Sequence, residues 1–153
     1  HQCPALTQAG PATPPAAPHR RWRRKVTLRL AAQYADEWNV WGTPDVLRHK
    51  ISILEQHCAD LGRDPSEIYK SANLFVQVTD DPAEAEKARE AYGARMIAGP
   101  VDQVKATVQE FIDAGVDELV VAIFALRSGD PSSMERARAI ADRFINCVAP
   151  DFR

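Results

Sequence analysis

Apolar residues recur along this chain in two alternating rhythms. From Val26 to Glu37, Leu28, Ala31, Ala32 and Ala35 fall at helical spacing. The short extended run Trp38-Asn39-Val40-Trp41 follows and is closed by Gly42. Thr43 can cap the next helix with Pro44 at its first position, and the apolar stripe runs through Val46, Leu47, Ile51, Ile53, Leu54, His57, Cys58 and Leu61. Gly62 is placed to end it in the left-handed conformation. Residues Ile68 to Thr79 contain the longest β-like run, stopped by Asp80-Asp81-Pro82, where Asp81 caps another helix with Glu84 at its third position. A further helix after Gly99-Pro100 carries Val104, Val108, Phe111 and Ile112 and ends at Gly115. Leu119 to Phe124 is continuously apolar, as strands buried in a parallel sheet are, and Pro131 opens a last helix through Met134, Ala137, Ile140, Ala141, Phe144 and Ile145.

Strands separated by helices, without hairpin dipeptides, define β/α units and a parallel sheet. An open doubly wound sheet and part of a (β/α)8 barrel both satisfy the pattern. Three clear strands in 153 residues are too few to close an eight-stranded barrel, which needs roughly 200 residues or more. Such a sheet would leave two edges exposed and one apolar face uncovered.

Charge divides the chain. Residues 1–35 hold six basic and no acidic side chains, whereas the other 118 hold 13 basic and 21 acidic ones. Residues 1–25 are expected to form a disordered segment: His1 to Pro18 has five prolines, five alanines and no charge, too little apolar bulk to offset ordering. His19-Arg20-Arg21-Trp22-Arg23-Arg24-Lys25 could grip phosphates and stack a base, but short basic runs are usually solvated and the body is acidic, which disfavours nucleic acid as a partner. The segment after it is too polar for a twin-arginine export signal. No run of about 18 apolar residues is present, so no membrane-spanning helix is expected. Cys3, Cys58 and Cys147 share no metal-ligand or disulfide spacing, and a cytoplasmic location is the default. His49 and His57 lie roughly 80° apart around their helix, so no shared metal is expected.

Four ordered blocks carry a resemblance. The run Thr27 to Gly42 (TLRLAAQYADEWNVWG), the stretch from His57-Cys58 to Gly62-Arg63-Asp64-Pro65, Gly99-Pro100-Val101-Asp102-Gln103-Val104, and Phe111-Ile112-Asp113-Ala114-Gly115-Val116-Asp117-Glu118-Leu119 are similar to segments of the luciferase-like monooxygenases. They most resemble the branch of deazaflavin (coenzyme F420) dependent oxidoreductases. The resemblance covers about residues 25–148 and implies the C-terminal portion of a TIM-like barrel, an incomplete α/β fold spanning residues 26–149 with a short tail at 150–153. It further implies hydride transfer or oxygen insertion on a small-molecule substrate, with FMN or F420 held at the C-terminal ends of the strands.

In that family a glycine-rich turn that binds the cofactor phosphate should precede Thr27. Here a proline and arginine segment stands instead. The run from His19 to Arg24 can be encoded so that a shifted frame reads Ile-Gly-Gly-Gly-Gly and the start of a Glu codon, which suggests a frame-shifted phosphate turn. Arginines do not reproduce the converging backbone N–H groups of such a turn. The chain is therefore not expected to hold the cofactor or to be active by itself.

Three residues remain candidates for cofactor binding. Trp41 could wall a planar ring, and Gly42 and Thr43 open a helix where barrel sites collect loops. Phe124 and Arg127, after the last strand, are candidates for substrate binding, Arg127 by pairing with a phosphate or carboxylate. No catalytic residue and no metal ligand can be named, since chemistry in such enzymes belongs to the cofactor. The competing reading is a non-catalytic half-barrel remnant that assembles with itself or with a missing N-terminal half; a nucleic-acid module built on Arg20 to Lys25 is the third.

Overall fold

The computed structural model describes residues 19–122 and 131–152, with side chains described for residues 26–122 and 133–152. Helix α1 (His19–Tyr34) leads into β1 (Glu37–Trp41) and α2 (Pro44–Leu61), then β2 (Tyr69–Val78), α3 (Pro82–Tyr92), β3 (Met96–Gly99), α4 (Val101–Asp113), β4 (Glu118–Ala122) and α5 (Pro131–Cys147). Helix α1 begins earlier than its apolar stripe predicts and takes in the basic run from His19 to Lys25. Residues 1–18, the rest of the expected disordered segment, lie outside the described residues.

β2 is the strand to which the others attach, all in parallel. β1 pairs along Tyr69–Asn73, β4 along Ser71–Phe75 and β3 along Phe75–Val78. Ser71, Ala72 and Asn73 are paired with both β1 and β4, so those strands flank β2 on opposite edges. Phe75 is paired with both Met96 and Ala122, which puts β3 on the edge that β1 leaves. Strand β3 was not foreseen; its four residues are too few to show a period.

One face of the sheet builds the core. Trp38, Ala72, Leu74, Val76 and Val78 pack with Leu47, Ile51, Leu54 and Cys58 of α2, with Val104, Val108 and Phe111 of α4, and with Val148 after α5. Leu28, Ala31 and Ala32 bring α1 against α2. The other face is mixed: alternation places Glu37, Asn39, Ser71, Asn73, Gln77 and Glu118 there together with Tyr69, Val120, Ala122 and the Trp41 and Phe75 rings, and α3 packs on Met96 and Ala98 of β3 at its end. A strand with one helix-covered and one mixed face needs an alternating pattern, and β2 has one.

Local chemistry secures the ends. Thr43 caps α2 through Val46 N–H, and Gly62 closes it at φ 69° while its N–H and that of Arg63 return to the last turn. Arg63 donates to the carbonyls of Ala32 (3.1 Å) and Ala35 (2.8 Å), satisfying acceptors that the end of α1 leaves open. Asp117 and Lys70 lock the start of β4 to β2, each main-chain N–H reaching an oxygen of the other residue at 2.8 Å.

Leu74→Ala is expected to cost about 2–5 kcal/mol, because a fully enclosed side chain leaves a cavity. Gly62→Ala should cost about 1 kcal/mol through its left-handed φ. Urea denaturation reads both. The thiols supply a second check. Burial raises the Cys58 pKa against the opposing Arg63 charge, whereas Cys147 is exposed. Brief iodoacetamide treatment of the folded chain should therefore modify Cys147 and spare Cys58, as mass spectrometry would show. A folded-state pKa above the unfolded one means that Cys58 favours folding at neutral pH and loses that contribution as pH rises through the raised value.

Candidate functional site

The mixed face ends, at the C-terminal side of the strands, in a cluster of rings. Trp41, the last residue of β1, lies opposite Asn73 in the register, and Phe75 is two residues further on the same face. The Trp41 and Phe75 rings have centroids 4.9 Å apart and are tilted by 46°; Phe75 and Tyr92 are 5.4 Å apart at 51°. Tyr92 is the last residue of α3. Gly93, at φ 63°, then turns the chain through Gly93–Arg95 into β3, and the Arg95 guanidinium comes over the Trp41 ring at 5.7 Å. Small residues allow this approach, since Ala85 and Ala88 of α3 pack on Ala98 and Met96 of β3.

Below the rings runs a hydrogen-bonded row. Asn73 Nδ2 donates to Asn39 Oδ1, Asn39 Nδ2 donates to Ser71 Oγ at 2.8 Å, and Ser71 Oγ donates to Glu37 Oε1 at 2.8 Å. Ser71 is only 1% exposed, and Glu118 stands beside it in the register. At the start of the same face, burial first and the Glu118 carboxylate second hold the Tyr69 phenol above its ordinary pKa. The face thus grades from acidic at the N-terminal end to aromatic at the C-terminal end.

The three residues singled out for cofactor binding sit together at the β1–α2 junction. Trp41 is in the ring cluster, between Phe75 and the Arg95 guanidinium, and stays 38% exposed. Gly42 is a steric requirement: a Cβ there would stand 2.8 Å from Leu47 Cδ1 and 3.0 Å from Val46 Cγ1. Thr43 spends its hydroxyl on the α2 cap, at 3.5 Å from Val46 N, and also borders a cavity of about 150 Å3 with Pro44, Arg89, Arg95 and Gln103. Phe124 and Arg127 lie outside the described residues. Among the described residues no three His, Cys, Asp or Glu side chains are grouped to hold a metal, and no helix is long and apolar enough to cross a membrane.

Asn39, Ser71, Asn73, Phe75, Tyr92 and Arg95 were not anticipated. Ser71, Asn73 and Phe75 were visible in principle, because β2 alternates Ser71, Asn73, Phe75 and Gln77 with Ala72, Leu74, Val76 and Val78, and Asn39 alternates with Trp38 and Val40 on β1. Tyr92 and Arg95 come from a helix end and a turn, and no periodicity points to them.

A larger cavity, about 500 Å3, lies elsewhere. It runs beside β1 between α1 and α2, lined by Leu28, Trp38, Val40, Val46 and Ile53 among others. A third, about 280 Å3, runs beside β4 and is lined by Ile112, Leu119, Val121, Phe144 and Phe152 among others. Both follow sheet edges that have no strand partner among the described residues.

Comparison with known proteins identifies this arrangement. The family model described as luciferase-like monooxygenase matches residues 23–118, more than half of the chain. The chain belongs to the luciferase-like monooxygenase family. Its fold is also that of solved structures with a TIM-like barrel. One is the coenzyme F420 dependent tetrahydromethanopterin reductase from Methanopyrus kandleri (18% identity, TM-score 0.59), which matches 84% of this chain and 49% of its own. A riboflavin lyase solved with modified FMN and riboflavin is similar at 12% identity and TM-score 0.59, over 82% of this chain and 40% of the lyase. A long-chain alkane monooxygenase is similar at 17% identity and TM-score 0.56, over 81% of this chain and 38% of its own. The chain therefore spans about half or less of these luciferase-like structures. No curated protein sequence matches it.

Gly42→Ala should push Leu47 from the core and destabilise the chain by about 1–3 kcal/mol. Thermal unfolding measures this, and a small-residue variant that leaves the melting temperature unchanged would refute the assigned contact.

Proposed function

We propose that this chain supplies the C-terminal portion of a flavin or deazaflavin dependent oxidoreductase, with residues 26–149 forming that part of the barrel. The observation that carries the reading is the ring cluster of Trp41, Phe75 and Tyr92 at the C-terminal ends of parallel strands, the end at which barrel enzymes place their sites. A partly exposed indole backed by buried Phe75 offers aromatic surface to a flavin-type ring, and matched structures are named for F420 or were solved with FMN. Trp41, Gly42 and Thr43 form the junction against which the ring would lie, and Phe124 and Arg127 are assigned to the substrate side. Reduced cofactor would supply hydride transfer or oxygen activation to a small-molecule substrate. The residues of this chain position and enclose the ring, and none of them is assigned an acid or base role.

The remaining strands of the barrel belong beside β1 and β4, where the 500 Å3 and 280 Å3 cavities run along open edges. An N-terminal half, upstream or on another chain, fits those edges better than a nucleic-acid partner fits the acidic body. Turnover is assigned to the assembled barrel, and within this chain the cofactor phosphate has no glycine turn before Thr27 to hold it.

The chain alone should therefore bind only the ring, weakly, with a dissociation constant on the order of 1 mM, or ~4 kcal/mol. NMR titration of the Trp41 indole N–H with riboflavin and with FMN tests this. Equal, weak shifts from both ligands are expected, with companion shifts of the Asn73 side-chain amide that disappear in Trp41→Ala. Tight FMN binding that depends on the phosphate would overturn the loss of the phosphate site, and unperturbed Trp41 would overturn the ring site.

A further inference from the structure

Resting on the ring-site reading, we infer that the side-chain row Glu37–Ser71–Asn39–Asn73 is a directional relay that fixes Asn73 as a hydrogen-bond acceptor, so the site selects a planar ring carrying an N–H on its edge. The direction follows from chemistry. An ionised carboxylate can only accept, so the Ser71 hydroxyl at 2.8 Å from Glu37 must donate its single proton to it. The Ser71 oxygen can then only accept from Asn39, which must turn its NH2 group toward Ser71, as the 2.8 Å contact has it. The Asn39 carbonyl is left facing Asn73, whose own NH2 must fill it.

Each step removes a choice from the next residue, and the burial of Ser71 keeps water from offering its hydroxyl an alternative. With its NH2 turned down the row, Asn73 keeps its carbonyl oxygen for whatever lies above. Its place in the sheet makes that useful: Asn73 is flanked by Trp41 on β1 and Val120 on β4, with Phe75 the next residue along β2 on the same face. A ring seated against those aromatics would meet one oriented acceptor. The matching ligand edge is an imide or lactam N–H, and a ring with a bare acceptor there would leave both groups unpaired.

FMN and N3-methyl-FMN are suitable probes, since methylation removes the imide proton and little else from the ring. In the unaltered chain, NMR titration should show methylation weakening binding about tenfold or more. Asn73→Leu should bind the two compounds equally, and Asn73→Asp should keep the preference. Glu37→Gln should keep it too, since the Gln carbonyl still accepts. Glu37→Lys, made together with Glu118→Ala so that no carboxylate remains beside Ser71, reverses the relay: the ammonium donates to Ser71, Ser71 to Asn39, and Asn39 to the Asn73 carbonyl, so the preference for the N–H ring should vanish. Glu37 is exposed and at the opposite end of the strand from Trp41, so these variants should fold, which circular dichroism checks.

Equal affinity of the two compounds for the unaltered chain, or an unchanged preference in the Glu37→Lys, Glu118→Ala double variant, would overturn the inference. If neither compound binds, the ring-site reading and the selectivity both fail. The relay is then judged by the Asn39 and Asn73 side-chain amide signals: a shift in both in the double variant supports it, and unmoved signals overturn it.

Discussion

Everything in this molecule hangs on a single strand that must satisfy two different surroundings. β2 gives main-chain hydrogen bonds to three partners in parallel, and its side chains divide strictly between them and the helices. Ala72, Leu74, Val76 and Val78 remove apolar surface from water against α2, α4 and α5, while Ser71, Asn73 and Phe75 are committed to the opposite face. A slip of one residue in its register would exchange the two sets, burying the amides under helices and presenting the aliphatics to the site. The Lys70 and Asp117 clamp at the start of β4 guards against that slip.

The site inherits its order from that register. Because Trp41 is opposite Asn73 and Asn39 is opposite Ser71, polar contacts form along one row without any loop having to be ordered. The aromatic end is less economical: it recruits Tyr92 and Arg95 from a helix terminus and a glycine turn. Such an arrangement tolerates change in the loop more readily than change in the strand.

Much of this architecture is legible in the sequence. The helix from Pro44 to Leu61, with its Thr43 cap and Gly62 stop, can be read residue by residue because capping is local chemistry. Strand β2 is legible for its length, and its alternation encodes the site face. Strand β3 is not legible, because Met96–Gly99 is stabilised by pairing with Phe75–Val78, far away in sequence. Trp41 is singled out by its place at a strand end, whereas Arg95 joins the ring cluster only through the fold. The expected uncovered apolar face is mixed, with Val120, Tyr69 and Trp41 exposed among amides and hydroxyls. Apolar content predicts how much surface must be hidden, and only register says on which side the rest lies.

The polar row has a consequence for how such a barrel can be divided. A β/α barrel cut through a lumen packed with aliphatic layers would expose an oily wall on each piece. Here that face mixes amide, hydroxyl and carboxylate groups with Tyr69 at one end, Val120 in the middle and the Trp41 and Phe75 rings at the other. A piece separated at this boundary meets water in part with groups that water already solvates, and what it lacks is mainly strand edges to pair with. What such strands ask of a neighbour is thus largely main-chain pairing along their edges.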